Sequence, residues 1–291
     1  MLRTNSQELV KISVAGEIAN PSMPGLPASP YLVSAGGEPF LVPVFGGLVY
    51  NVRLGDRALG WAAELIQPGV SIKNKEAGAN TALNVYACLG NRARVMSGAA
   101  AGVTGTVIGK SGRFADHVIC HFASEHLEKM APGDRVQVQA YGVGLRLSDF
   151  PEVEMKNCSP ELLAALAPRP GADGRLRVGV RGVVPSVLAG AGAGFASEYS
   201  VVNLQTSDGQ ALADAGLAGL RFGDLVAIKD WDSRYNHGYL RGSVVVGVVC
   251  QGGSFRSGYG PGLAVVMTSK TGAIHPVVME RANIGDLLGL I

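Results

Sequence analysis

"GTVIGKSG", residues 105–112, looks like a phosphate-binding loop, and the fold turns on whether it is one. A Walker-type loop needs four residues between its glycines, then Lys and Ser or Thr, then a helix. Here only Thr106, Val107 and Ile108 separate Gly105 from Gly109. A cradle of backbone N–H groups has a fixed perimeter, so a loop one residue short does not close around a phosphate. The enclosed residues are β-formers, and Gly112-Arg113-Phe114 starts no helix. The segment therefore reads as a tightly coiled strand of a small barrel, with glycines where the wall bends. No nucleotide P-loop is expected.

The neighbouring sequence has the same character. "ARVMSG" before it and "DHVICHF" after it are strand-like runs separated by Gly-rich turns, and "APGDRVQVQAYG" is a turn followed by strict alternation at Val136, Val138 and Ala140. Residues 39–53 read as two strands joined at Gly46-Gly47. "RALGWAAELI" (57–66) has helical apolar spacing, with Asp56 before it as N-cap, and "ANTALNVYACLG" fits helix or strand. "SEHLEKM" (124–130) predicts a short helix capped by Ser124. "SPELLAALAPRPGADGR" predicts a capped helical turn, with Pro160 at its first position, and then a linker. Beyond it "RLRVGVRGVVPSVL" is strand-rich and "GQALADAGLAGL" (209–220) a short helix. "RFGDLVAIKDWD" echoes "APGDRVQVQAYG", as related domains or as convergent turn chemistry. The expected fold is mainly β (α+β). It has two β-barrel-like or β-sandwich-like domains with short peripheral helices, at 1–158 and 176–291, joined by a linker at about 159–175.

Composition bounds the function. Of 291 residues, 47% are apolar and only 16% charged, which argues against a disordered chain. The 41 glycines follow no collagen period. Net charge is +2 with no basic block, and aromatics are few, so nucleic acid is not an expected partner. Cys88, Cys120, Cys158 and Cys250 form no C-x-x-C pair and read as buried thiols of a reducing cytosol. The N-terminus shows no signal peptide, and the uncharged stretches 183–197 and 39–52 fall short of the roughly 18 apolar residues of a membrane span. A soluble, cytoplasmic protein is expected. Runs such as "SVVVGVVC" barely alternate and so predict strands buried on both faces, which makes a homo-oligomer the expected assembly.

The segment richest in chemistry is "DWDSRYNHGYLRGSVVVGVVCQGGSFRSGYGPG" (230–262). Asp230 and Asp232, two apart on an extended chain, face one way. They would suit a substrate ammonium or, less well, a divalent metal, and no metal ligand set is assigned. His237 is a candidate general base, with Arg234, Asn236 and Arg241 as candidate substrate contacts. A solvated hairpin with internal turn bonds is the alternative. Lys110, Arg113 and His117 cluster around the opening stretch, where a Lys among glycines can reach an anion. Together, His237, Asp230, Lys110 and Asp56 are the catalytic candidates.

"GDRALGWAAELIQPGVSIKN" (55–74), "NVYACLGNRARVMSGAAAGVTGTVIGKSG" (84–112) and "GDLVAIKDWDSRYNHGYLRGSVVVGVVCQGGSFRSGYGPG" (223–262) together resemble the bacterial and archaeal DUF4438 family, domains of unknown function. The resemblance spans most of the chain and implies a two-domain, β-rich protein, without implying a reaction. It also implies His in relatives at the positions of Gln251 and Tyr259 and near Ser111, which adds Gln251 and Tyr259 to the candidate substrate contacts. Two functions follow as expectations. One is an enzyme acting on a small polar metabolite, with hydrolysis of an amide or related bond foremost. The other is a small-molecule-binding or assembly protein without chemistry. Convergence of Asp230, His237, Lys110 and Asp56 in one pocket would favour the first, and scatter the second.

Overall fold

A computed structural model describes residues 2–21, 29–112, 115–192, 194–205 and 208–291. The chain is mainly β with a few short helices. Ile12–Ile18, Val70–Lys73, Val118–His121, Thr104–Lys110, Arg92–Val95 and Arg135–Ala140 follow one another around a closed antiparallel barrel, the last pairing with the first. Alternation fills it: Val136, Val138 and Ala140 point inward to meet Val14, Ala93, Val107 and Cys120. Of the stretch 79–90, open between helix and strand, the first part belongs to the helix Ala77–Tyr86. Its Leu83 lies where a Cβ on Gly16 would come within 3.0 Å, so glycine lets helix and barrel strand touch.

The opening stretch is the barrel strand Thr104–Lys110, and among the described residues the next element is the strand Val118–His121. Its glycines serve close approach. A Cβ on Gly105 would collide with the carbonyl oxygen of His121 in the next strand, and a Cβ on Gly109 with the Cβ of Cys250 in the C-terminal half. Between them the ladder slips at Val107/Gly109, the local irregularity that bends a barrel wall.

In the C-terminal half Leu225–Asp232, Gly238–Gln251 and Gly262–Ser269 form an antiparallel meander, with Gly182–Val184 and Val202–Asn203 at its edges and Glu154–Met155 pairing onto Gly262–Ser269. A second sheet holds Arg169–Pro170, Leu176–Val180 and Ile274–Val278. In the long strand, Val244, Val246, Val248 and Cys250 face a core shared with Ile108 and Ile119 of the barrel wall. Val245 and Val249 face another core with Phe222 and Trp231. The "SVVVGVVC" run is thus covered on both faces by its own chain and does not call for a second copy. All four cysteines are free and buried. Among the described residues no helix is long and apolar enough to cross a membrane.

Ser159 caps the helix Pro160–Leu166, its Oγ accepting the Leu162 N–H at 3.0 Å, and Ala167 at φ +43° ends it. Ser159→Ala is expected to cost about 1 kcal/mol, read from urea denaturation. An unchanged midpoint would remove the cap from the account.

Local signals misled in several places. Residues 57–66 form no helix. Their backbone groups bond elsewhere: Ala58 N–H to Leu220 O, Glu64 N–H to Pro43 O and Leu65 N–H to Gly253 O. Gly60 and Leu65 have positive φ, which no helix accommodates. Asp56 therefore caps a turn, its Oδ2 accepting Arg53 N–H at 2.7 Å. Asp134 and Asp224 do the same for Ala131 and Arg221, at 2.9 and 2.8 Å. In each case a glycine at φ near +90° precedes the Asp. One such turn opens a barrel strand, one an open-sheet strand and one neither, so the "GD" echo is turn chemistry. Ser124 is the first residue of its helix, not the cap. Of 39–53, only Pro39–Phe40 is a strand.

Candidate functional site

Asp230 and Asp232 do not face one way. The ladder between Leu225–Asp232 and its partner slips between Lys229 and Trp231, and Asp230, in the slip, has φ +55°. A bulge inserts one residue and breaks the two-residue period. Asp230 Oδ1 accepts the Gly242 N–H at 2.7 Å. Asp232 grips Arg234 through two near-parallel bonds of 3.0 Å. Among the described residues no cluster of three or more His, Cys, Asp or Glu is placed to hold a metal ion. Asn236 and Arg241 are exposed on the same hairpin.

Lys110 and His237 do share one buried network at the junction of barrel and sheet. Lys110 Nζ donates to Asn157 Oδ1 at 2.5 Å and to Glu198 O at 2.8 Å. Asn157 Nδ2 donates to Ser197 O, and Ser197 Oγ to Ser233 O. Ser233 Oγ lies 2.9 Å from His237 Nδ1, and Ser200 Oγ lies 2.9 Å from Nε2. Ser200 spends its own proton on Ala196 O at 2.7 Å. That assigns the imidazole proton to Nε2 and makes Nδ1 the acceptor of the Ser233 hydroxyl. Burial pushes the His237 pKa down to about 4 and that of Lys110 down to about 8. Lys110 uses two of its three N–H donors within the protein, and both ring nitrogens of His237 have partners there. Asp56 and Asp230, each spent on a backbone N–H, lie outside this network.

The Gly-rich loop after Gly238–Gln251 is tied down by a residue the sequence did not single out. Glu64 is buried and accepts Ser254 Oγ at 2.7 Å, Phe255 N–H at 2.8 Å and Arg256 Nε at 3.0 Å. The Arg256 guanidinium then lies 4.4 Å from the Tyr259 ring centroid. Gln251 is buried at the strand end, its Oε1 close to where a Cβ on Gly262 would sit.

A second buried polar group lies under a groove. Gln67 Oε1 accepts from Ser71 Oγ at 2.5 Å and meets His117 Nδ1 at 3.1 Å. His117 N–H also reaches Ser111 Oγ at 2.9 Å. Gln67 Nε2 is buried with no hydrogen-bond partner. Turning the amide over would only exchange which end goes unpaired. Burial, helped by the nearby Lys73, pushes His117 down to about 4. Above these groups runs a groove of about 730 Å³, walled by 41–52 and 61–66, with Pro43, Phe45, Tyr50 and Trp61 among its lining. Gly46 is in that lining, and a Cβ there would collide with Ser71 Oγ and Gln67 Oε1. Of the cluster around 105–112, then, Lys110 and His117 join different networks, and Arg113 lies outside the described residues.

Barrel, meander and these two buried polar networks define a mainly β protein whose halves meet in one shared core. The chain belongs to the DUF4438 family, domains of unknown function: the N-terminal family model matches residues 31–164 and the C-terminal model residues 168–288. A solved structure described as the crystal structure of TM1086 is similar over 98% of each chain, with 39% identity and a TM-score of 0.91. No curated protein matches the chain.

Proposed function

We propose that this protein binds a small, largely apolar molecule in the groove walled by 41–52 and 61–66. The observation that carries this is the groove itself: preformed and apolar, with a buried amide–imidazole pair under Gly46. A concave, mostly apolar cleft is the common form of a small-molecule site, and Gly46, which covers the amide–imidazole pair, is part of its wall. The scatter of Asp230, Asp56 and the Lys110–His237 network also supports binding over catalysis.

The test is a thermal-shift screen against a metabolite library. A ligand at about one hundred times its Kd adds about 2.7 kcal/mol to stability. Tyr50→Ala, at a half-exposed groove position, is expected to abolish the shift given by the best ligand while leaving the unliganded melting temperature in place. An undiminished shift in that variant would reject the groove. Turnover of a stabilising ligand, lost in His237→Ala, would instead support amide hydrolysis of a small polar metabolite.

A further inference from the structure

We propose a second site, for a phosphorylated small molecule, on the outer face of the barrel. Arg92–Val95 alternates exposed and buried residues, so Arg92 and Arg94 both point out while Ala93 and Val95 fill the barrel. Two residues apart on a strand, they stand about 6.6 Å apart. Arg94 lies opposite Gln137 on Arg135–Ala140, and Gln139 of that strand lies opposite Ser13 on Ile12–Ile18. With Lys11 these residues line a groove of about 410 Å³.

The charge on this face is uncompensated. Among the described residues, no carboxylate lies within ion-pair distance of Lys11, Arg92 or Arg94. Glu17, on the neighbouring strand, is held by Lys75 at 2.7 Å and sits opposite Arg135. The whole chain carries only +2, so three unpaired cations on one groove are a strong local concentration. Like charges side by side on a sheet repel, and a bound anion relieves that repulsion.

The donors are also placed for an oxyanion. Lys11 Nζ is held 4.5 Å over the Tyr141 ring, and the Tyr141 hydroxyl is anchored on Ser6 O at 2.6 Å. Gln137 Nε2 donates to Ser13 Oγ at 2.7 Å, which leaves the Ser13 hydroxyl proton and the Gln139 amide for the ligand. Two planar guanidinium forks side by side on one strand can converge on a diphosphate, each able to take a pair of oxygens. The groove lacks the run of aromatic platforms that single-stranded nucleic acid stacks on.

Inorganic pyrophosphate is the probe, titrated calorimetrically into the whole protein at low salt. Saturable binding is expected, weaker for orthophosphate. The Arg92→Gln/Arg94→Gln pair is expected to weaken it by at least about tenfold, since each lost fork removes a charge-assisted pair. Both residues are exposed, so the variant should melt like the parent. Three results would overturn the site: no saturable heat up to about 10 mM, where binding is weaker than any specific site; pyrophosphate affinity unchanged in the double variant; or an oligonucleotide binding better than pyrophosphate, which would make the face a nucleic-acid surface.

Discussion

Gly109→Ala is expected to destabilise the protein by about 3 kcal/mol, the upper end of what forced overpacking costs. The added Cβ would meet the Cβ of Cys250 and then its Sγ. A Cβ cannot rotate away, so one backbone must move, and neither is free. Thr104–Lys110 is held on both sides within the barrel, and Gly238–Gln251 is the central strand of its meander. Cys250 Sγ also donates to Lys110 O at 3.1 Å, so the two strands are bonded where they would have to part. Gly102→Ala is the control. A Cβ there meets nothing within 4 Å, but φ is +95°, so it should cost only about 1 kcal/mol of backbone strain. If urea denaturation gives the two variants equal losses, close approach is not why residue 109 is glycine.

That contact marks the limit of what the sequence discloses. The strands at 104–110, 118–121 and 135–140 were legible, because Gly-bounded β-branched runs with period-2 alternation are local signals. The reason Gly109 is glycine was not, because Cys250 approaches it from the other half of the chain. The same holds for 57–66: its apolar spacing is helical, yet its backbone partners come from Pro43, Leu220 and Gly253, and tertiary hydrogen bonds outweighed a weak propensity. Glu64, which the sequence does not single out, is the buried anchor of 254–256. In the candidate site, Lys110 and His237 stand out in the sequence as residues, but Asn157, Ser197 and Ser233, which link them in the structure, are residue types too common to flag. The paired carboxylates failed for a sharper reason: a non-glycine residue with positive φ at Asp230 has no signature in composition or spacing. Gln67 lies fifty residues from His117 in the chain, so nothing local in the sequence points to their pairing.

Stability is expected to fall steeply as pH drops from about 6.5 to about 4, at up to roughly 2.7 kcal/mol per pH unit where two histidines titrate in the unfolded chain alone. His117 and His237 are buried and held neutral, each with its pKa pushed down to about 4. In the unfolded chain each returns to about 6.5. Below that value the unfolded state takes up protons that the folded state refuses, so acid favours unfolding until the folded pKa is reached. Above 6.5 neither state is protonated, and the effect is absent. Burial also lowers the half-buried His121 and acts in the same direction. The carboxylates with lowered pKa, Asp149, Asp173 and Glu76, add their own acid sensitivity as pH falls through the ordinary carboxylate range near about 4, while Asp224, raised by burial, acts in the opposite direction; the acid sensitivity of the upper window comes from histidine. Integrated over the window, each buried histidine accounts for roughly 3 kcal/mol, and two of them rival half the total stability of an ordinary domain. For His237 the structural cost is visible: a proton on Nδ1 would force the Ser233 hydroxyl, 2.9 Å away, to stop donating. Urea midpoints at pH 7, 5.5 and 4.5 measure the slope. His237→Asn and His117→Gln should each remove about one proton, or about 1.4 kcal/mol per pH unit, and the pair should leave only the remaining slope from His121 above pH 5. A parent curve already flat there would mean that these imidazoles are protonated in the folded protein, and the tautomer assigned to His237 would fall with that result; a slope undiminished by both substitutions would assign the acid sensitivity to other groups.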